Sequence, residues 1–114
     1  MNMPLVRMVR PSFAVAALAV ILAIPAPTFA ARAYQYLKQR DAWFETADAR
    51  RIADNILSWQ APAGDWPKNG DTVTQPYRGQ TNELHGTFDN AATTGEIRFL
   101  ARAFKATHDA RYRT

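Results

Sequence analysis

Thr46-Ala47-Asp48-Ala49-Arg50-Arg51-Ile52-Ala53-Asp54-Asn55-Ile56-Leu57-Ser58-Trp59 is the stretch that decides the fold. Ala49, Ile52, Ala53, Ile56 and Trp59 recur at steps of three and four, which gathers them on one face of a helix. Arg50, Arg51 and Asp54 fall off that face. Thr46 is placed to cap the helix, its hydroxyl accepting an otherwise unpaired backbone N–H. Upstream, the helical stretch extends back to about Arg32, with a break expected near Asp41–Glu45. Downstream, Pro62 stops it, because the residue before a proline is pushed out of the helical region.

Working outward, Ala61–Phe88 holds four of the five glycines and three prolines, so it reads as one long irregular loop. A loop of that length inside a compact domain is usually functional or disordered, and Trp66 and Tyr77 within it argue against disorder. A second helix is expected from about Asn90 or Ala91 to Ala106, with Ile97, Leu100, Ala101 and Phe104 as its buried stripe. Asp89 stands at or just before its start, suited to capping and to the positive end of the helix dipole. Gly95 inside this helix costs on the order of 1 kcal/mol relative to alanine. Nothing in the sequence compensates it, and close packing is the reason to look for. His108-Asp109 form a turn, with Asp109 able to cap a following helix. No strand alternation or repeat is present, so the fold class is all-α: two long helices joined by a long irregular loop.

The first thirty residues have a different character. Arg7 and Arg10 precede Phe13–Ile24, an uncharged apolar run. Pro25 and Pro27 break that run, and Thr28-Phe29-Ala30 offers small residues for cleavage after Ala30. A bilayer span needs roughly 20 apolar residues, so the run is short for an anchor. Met1–Ala30 therefore reads as a signal peptide, with a helix over its apolar part, and Ala31–Thr114 as the exported chain, secreted or periplasmic. An uncleaved membrane anchor is the competing reading; after cleavage no stable membrane association is expected. Loss of Arg7 and Arg10 lowers the formal charge from +4 to +2. No dense Lys/Arg stripe remains, which argues against a nucleic-acid partner. The chain has no cysteine, hence neither disulfide nor thiolate. It stops at Arg111-Tyr112-Arg113-Thr114 as another helix starts, so it is expected to be the N-terminal part of something longer.

Residue chemistry narrows the function. Ser58 lies in no nucleophile-elbow pattern, and His85 and His108 have no zinc-ligand spacing. Asp65, Asn69 and Asp71 crowd one bend, yet Pro67 and Pro76 break the pattern of a calcium-binding EF-hand loop. Turn chemistry is the simpler account of these acids, although a calcium site assembled from separate segments stays open. Trp66 is either a core wedge or a platform for a sugar ring. Lys68 is either solvated or a point charge for an anionic group.

Two segments carry a resemblance. Arg51-Ile52-Ala53-Asp54-Asn55-Ile56-Leu57-Ser58-Trp59-Gln60, followed by Pro62-Ala63-Gly64-Asp65-Trp66-Pro67-Lys68-Asn69, resembles the N-terminal part of family 10 polysaccharide lyases, the pectate lyases. So does Gly86-Thr87-Phe88-Asp89-Asn90-Ala91-Ala92-Thr93-Thr94-Gly95-Glu96-Ile97-Arg98-Phe99-Leu100-Ala101-Arg102-Ala103-Phe104-Lys105-Ala106-Thr107. The WPKN and DNAATT stretches are its specific parts. His108 departs from the pattern, standing where a helix-ending glycine is usual.

The resemblance implies a fragment of an (α/α) toroid acting on polygalacturonate (pectate) by calcium-dependent β-elimination. It makes Asp89 the Ca2+-associated carboxylate and Asn90 a substrate or calcium contact. Trp66, Lys68 and Asn69 become candidates for the wall of the substrate groove. The proton-abstracting arginine is expected downstream of Thr114, and Arg98 and Arg102 are read as solvated helix-face residues. A toroid would need further helices to cover the stripes at Ile52/Ile56 and Leu100/Phe104, so this chain alone is expected to be inactive and poorly folded. The second reading is an exported helical module that binds acidic glycans or a partner protein without catalysis.

Overall fold

The computed structural model describes residues 2–4, 7, 9–17, 19 and 31–113. The expected cleavage site at Thr28–Ala30 and most of the apolar run's second half lie outside the described residues. Residues 9–17 are exposed and carry no regular structure, so the helix expected there is not formed over them. None of the other described residues buries them, and an isolated short segment does not repay the cost of helix nucleation.

The described residues form seven helical pieces: 3-10 turns at Ala33–Lys38 and Asp41–Glu45, helix α1 at Ala47–Ser58, 3-10 turns at Thr81–Glu83 and Asp89–Ala91, helix α2 at Thr94–Thr107, and a last 3-10 turn at Ala110–Tyr112. No strand occurs among the described residues. The first long helix is thus shorter than expected, since its N-terminal half is two tight turns separated by extended Gln39 and Arg40. Arg102 of α2 stabilises the break. Its guanidinium donates to the carbonyls of Leu37 (2.6 Å) and Gln39 (2.7 Å) and to Asp41 Oδ1 (2.8 Å), and it lies 4.1 Å over the Phe44 ring. The solvated role expected for Arg102 is therefore incorrect.

Helix α1 follows its sequence pattern closely. Thr46 Oγ1 accepts from the Ala49 N–H at 3.2 Å, and Ala49, Ile52, Ala53 and Ile56 are buried. Helix α2 departs twice. It begins at Thr94 because Asn90, Ala91 and Thr93 have φ of 51°, 63° and 66°, which no continuous helix allows. Its buried stripe is Glu96, Phe99, Leu100 and Ala103, leaving Ile97 and Ala101 exposed and Phe104 half-buried. The stripe is displaced because Glu96 is drawn inward, its Oε1 accepting from the Thr72 hydroxyl at 3.1 Å. Gly95 has its reason here: an added Cβ would stand 3.2 Å from both the backbone nitrogen and the Cβ of Tyr34.

The core forms where α1, α2 and the aromatic turns meet. Phe44, Ile52, Ile56, Trp66, Phe99, Leu100 and Tyr112 are all within 2% of full burial. Phe44 and Phe99 meet edge-on at 5.2 Å, and Trp43 stacks on Tyr36 at 5.5 Å. Fully burying an aliphatic or aromatic side chain contributes about 1.5–3 kcal/mol. Ile52, Ile56 and Leu100 are therefore covered within the chain itself, contrary to the expectation that outside helices must do so, whereas Phe104 stays half-buried.

Candidate functional site: the Lys68–Asp89 corner

The long loop is irregular but closely tied down. Gly64, at φ 88°, makes the tight turn in which Ala61 N–H bonds to the Asp65 carbonyl (2.7 Å). From there Trp66 enters the core. Its indole N–H donates to the Ile56 carbonyl (2.7 Å), at the C-terminal end of α1. Its backbone N–H donates to Thr93 Oγ1 (2.8 Å), and its carbonyl accepts from the Thr87 N–H (3.0 Å). The Thr93 hydroxyl in turn donates to the Thr87 carbonyl (2.8 Å). One buried threonine hydroxyl thus joins the tryptophan bend, the approach to Asp89 and the start of α2.

The backbone at that junction is strained. The Thr94 N–H reaches the Ala92 carbonyl at 2.8 Å, closing a three-residue turn centred on Thr93 at φ 66°, ψ −52°. This turn is rare for a β-branched residue and persists only where its surroundings hold it. Here the two hydrogen bonds of Thr93 do so.

Beyond Trp66 the chain surfaces at Pro67-Lys68-Asn69. Lys68 Nζ lies 2.5 Å from Asp89 Oδ2, both side chains being exposed. The hydrogen bond and the charge of Lys68 hold the Asp89 carboxyl below its usual range. Asn69, at φ 63°, accepts from Arg32 Nη2 on its Oδ1 (3.2 Å). Asn90 is exposed beside Asp89, and Phe88 on the other side is 69% exposed.

The structure therefore brings Lys68 and Asp89 into contact, with Asn69 and Asn90 on the two segments that carry them. Trp66 is the correction. At 0% exposure it has no face for a sugar ring, because its ring fills the core and its N–H is spent on Ile56. Asp89 is also not the cap of α2, which starts five residues later. Thr93, Thr87 and Arg32 were not singled out in the sequence; a threonine looks the same there whether its hydroxyl is solvated or ties three segments together.

The remaining acids do local work. Asp71 Oδ1 accepts from the N–H groups of Val73 and Thr74 (both 2.9 Å), and Oδ2 accepts from the Thr74 hydroxyl (2.7 Å). This is the turn chemistry expected of it. Asp65 packs against Gly86, where any Cβ would overlap its carboxyl, and its Oδ1 is buried with no protein partner. No cluster of three or more His, Cys, Asp or Glu suited to a metal occurs among the described residues. A hard cation takes six to eight oxygens. Asp89, whose Oδ1 is not engaged by Lys68, can therefore supply only part of such a shell.

Residues 60–114 match the family model for pectic acid lyase. The matched stretch contains the tryptophan bend, Lys68, Asp89, Asn90 and all of α2. It relates this part of the chain to pectate lyases without singling out family 10 among them. No curated protein matches the chain.

Proposed function

We propose that this chain contributes one wall of the active site of an exported, calcium-dependent pectate lyase of the family 10 type, its helices forming a sector of an (α/α) toroid. The observation that carries the reading is the exposed Lys68–Asp89 pair, fixed by the Thr93 hydroxyl within the segment that matches pectic acid lyases. Polygalacturonate presents one carboxylate per sugar, and Lys68 is a point charge suited to one of them. A uronate that takes Lys68 releases Oδ2 of Asp89, so both oxygens of that carboxylate become available together. Asn69 and Asn90 offer amide donors and acceptors to sugar hydroxyls on either side.

Calcium, as a hard cation taking carboxylate and amide oxygens, would be held here by Asp89 and Asn90, with the rest of its oxygens coming from the bound uronate. When bound, it supplies Lewis-acid stabilisation of the charge that grows on the uronate as the C5 proton leaves. The described residues bind and orient; none is assigned the role of base. Met1–Ala30 is proposed as the signal peptide and residues 31–114 as part of the catalytic domain, which puts the working protein in the periplasm or outside the cell.

Binding of oligogalacturonate to the exported chain tests this reading. Affinity should require calcium, fall when calcium is chelated, and fall at least tenfold in D89N. Binding that ignores both chelation and D89N would favour the non-catalytic glycan-binding module instead.

A further inference from the structure

The two segments that carry the corner run side by side before they reach it. The Asp65 carboxyl lies against Gly86, the Thr87 N–H donates to the Trp66 carbonyl (3.0 Å), and Lys68 pairs with Asp89. Each pair is separated by the same 21 residues of sequence, so the segments are parallel and in register. Lys68 and Asp89 stand at one end of this pairing. At the other end lies a groove of about 290 Å3. Three residues of chain reach at most about 10 Å, the span of about two sugar rings. One short oligosaccharide can therefore touch both the groove and the corner.

The groove has a different chemistry from the corner. Pro62 and Leu84 give it an apolar wall, and Asn82 and His85 give it polar groups. Asp65 is the one acid that lines it, and no lysine or arginine does so among the described residues. The Asp65 carboxyl is half-buried and held in place. Gly86 lacks the Cβ that would displace it, and the Asp65 carbonyl accepts from the Ala61 N–H (2.7 Å). Its Oδ1 is buried with no protein partner, which leaves Oδ2 as the oxygen open to a ligand hydroxyl. The volume is near the lower end of the range of about 300–1,000 Å3 for small-molecule sites, room for a single sugar.

A free uronate does not suit this groove. Its carboxylate would face Asp65 with no lysine or arginine to offset the repulsion, and like charges brought together cost affinity. Esterification removes that charge and leaves the rest of the sugar unchanged. The sugar hydroxyls can then donate to Asp65, the ester carbonyl can accept from the Asn82 amide, and the methyl group can pack on Pro62 and Leu84. We propose that this groove is a subsite for a methyl-esterified galacturonate, set beside the Lys68–Asp89 corner that takes a free uronate. The inference rests on the lyase reading above and extends it to the esterification of the substrate.

The test is the affinity of the full chain for three trigalacturonates, measured by calorimetry with calcium present. One is the free acid; the others carry a methyl ester only on the first or only on the last sugar. The free acid seats at the corner alone. One monoester also fills the groove and should bind roughly tenfold more tightly, while the other gains nothing, because chain polarity decides which end reaches the groove. D65N removes the charge and keeps the shape, so the free acid should gain about tenfold and the preference should close. N82K adds a cation on the exposed rim, should raise the free acid in the same way, and decides the matter if D65N does not fold. Equal binding of all three trimers, or a preference that survives in folded D65N or in N82K, overturns the subsite and leaves calcium-dependent binding at Lys68–Asp89 standing. Binding that ignores both calcium and D89N removes both.

Discussion

Replacing Thr93 by valine tests whether one hydroxyl assembles the corner that carries Lys68 and Asp89. Valine keeps the volume and the branching at Cβ, so the strain at φ 66° stays about the same. What disappears is the acceptor for the Trp66 N–H and the donor to the Thr87 carbonyl, both at 2.8 Å. Trp66 is fully buried, and an unsatisfied buried amide costs about 1–3 kcal/mol. Thr87 is half-buried, so its carbonyl can recover water, adding about 1 kcal/mol or less. The expected destabilisation is about 1–4 kcal/mol. For a domain of this size that lowers the melting temperature by about 4–30 °C. T93S retains the hydroxyl and loses one methyl, so it should stay within about 1 kcal/mol of the parent. Thermal unfolding followed by near-UV circular dichroism, which reports the packing of Trp66, measures both. A T93V chain as stable as the parent, or T93S as damaged as T93V, would refute the reasoning.

Two further changes probe α2. G95A gains about 1 kcal/mol of helix propensity but forces a methyl to 3.2 Å from the Tyr34 backbone, and overpacking of this kind costs about 1–3 kcal/mol. Denaturant titration should therefore show no net gain, and a G95A chain clearly more stable than the parent contradicts the close approach. Burial pushes the Glu96 carboxyl above its usual range, so the folded state keeps a proton that the unfolded chain loses near pH 4.3. Stability from this group should fall as pH rises from about 4.3 through the raised value. E96Q removes that slope, and unfolding free energies at about pH 4.5 and about pH 7 measure it; an unchanged slope would show that Glu96 is not its source.

The helices and the site were legible to different depths, for reasons that lie in particular residues. Thr46 and the Ala49/Ile52/Ala53/Ile56 face follow from local spacing alone, because a cap and an apolar stripe need no distant partner. A break was expected near Asp41–Glu45 and falls just before it, at Gln39 and Arg40, because its cause, Arg102 reaching back to three acceptors, lies some sixty residues away in the chain. The phase of α2 was misread because it depends on Glu96 being drawn inward by Thr72, and a glutamate counts as polar in any periodicity argument. Asp89, Asn90, Lys68 and Asn69 stood out through their motifs, and the structure puts all four at the surface. Trp66 stood out as well, yet its two possible roles differ only in where the ring points. That was decided by hydrogen bonds to Ile56 and Thr93 that no local pattern records.

The central claim is that Lys68, Asn69, Asp89 and Asn90 act together on an acidic sugar chain. Backbone amide shifts of the 15N-labelled chain, recorded while trigalacturonate is added with calcium and then with chelator, address it most directly. The expected result is a set of shifts confined to residues 68–69 and 88–91, present with calcium, lost on chelation and absent from D89N. Shifts elsewhere on the surface, or the same shifts in D89N, would contradict it.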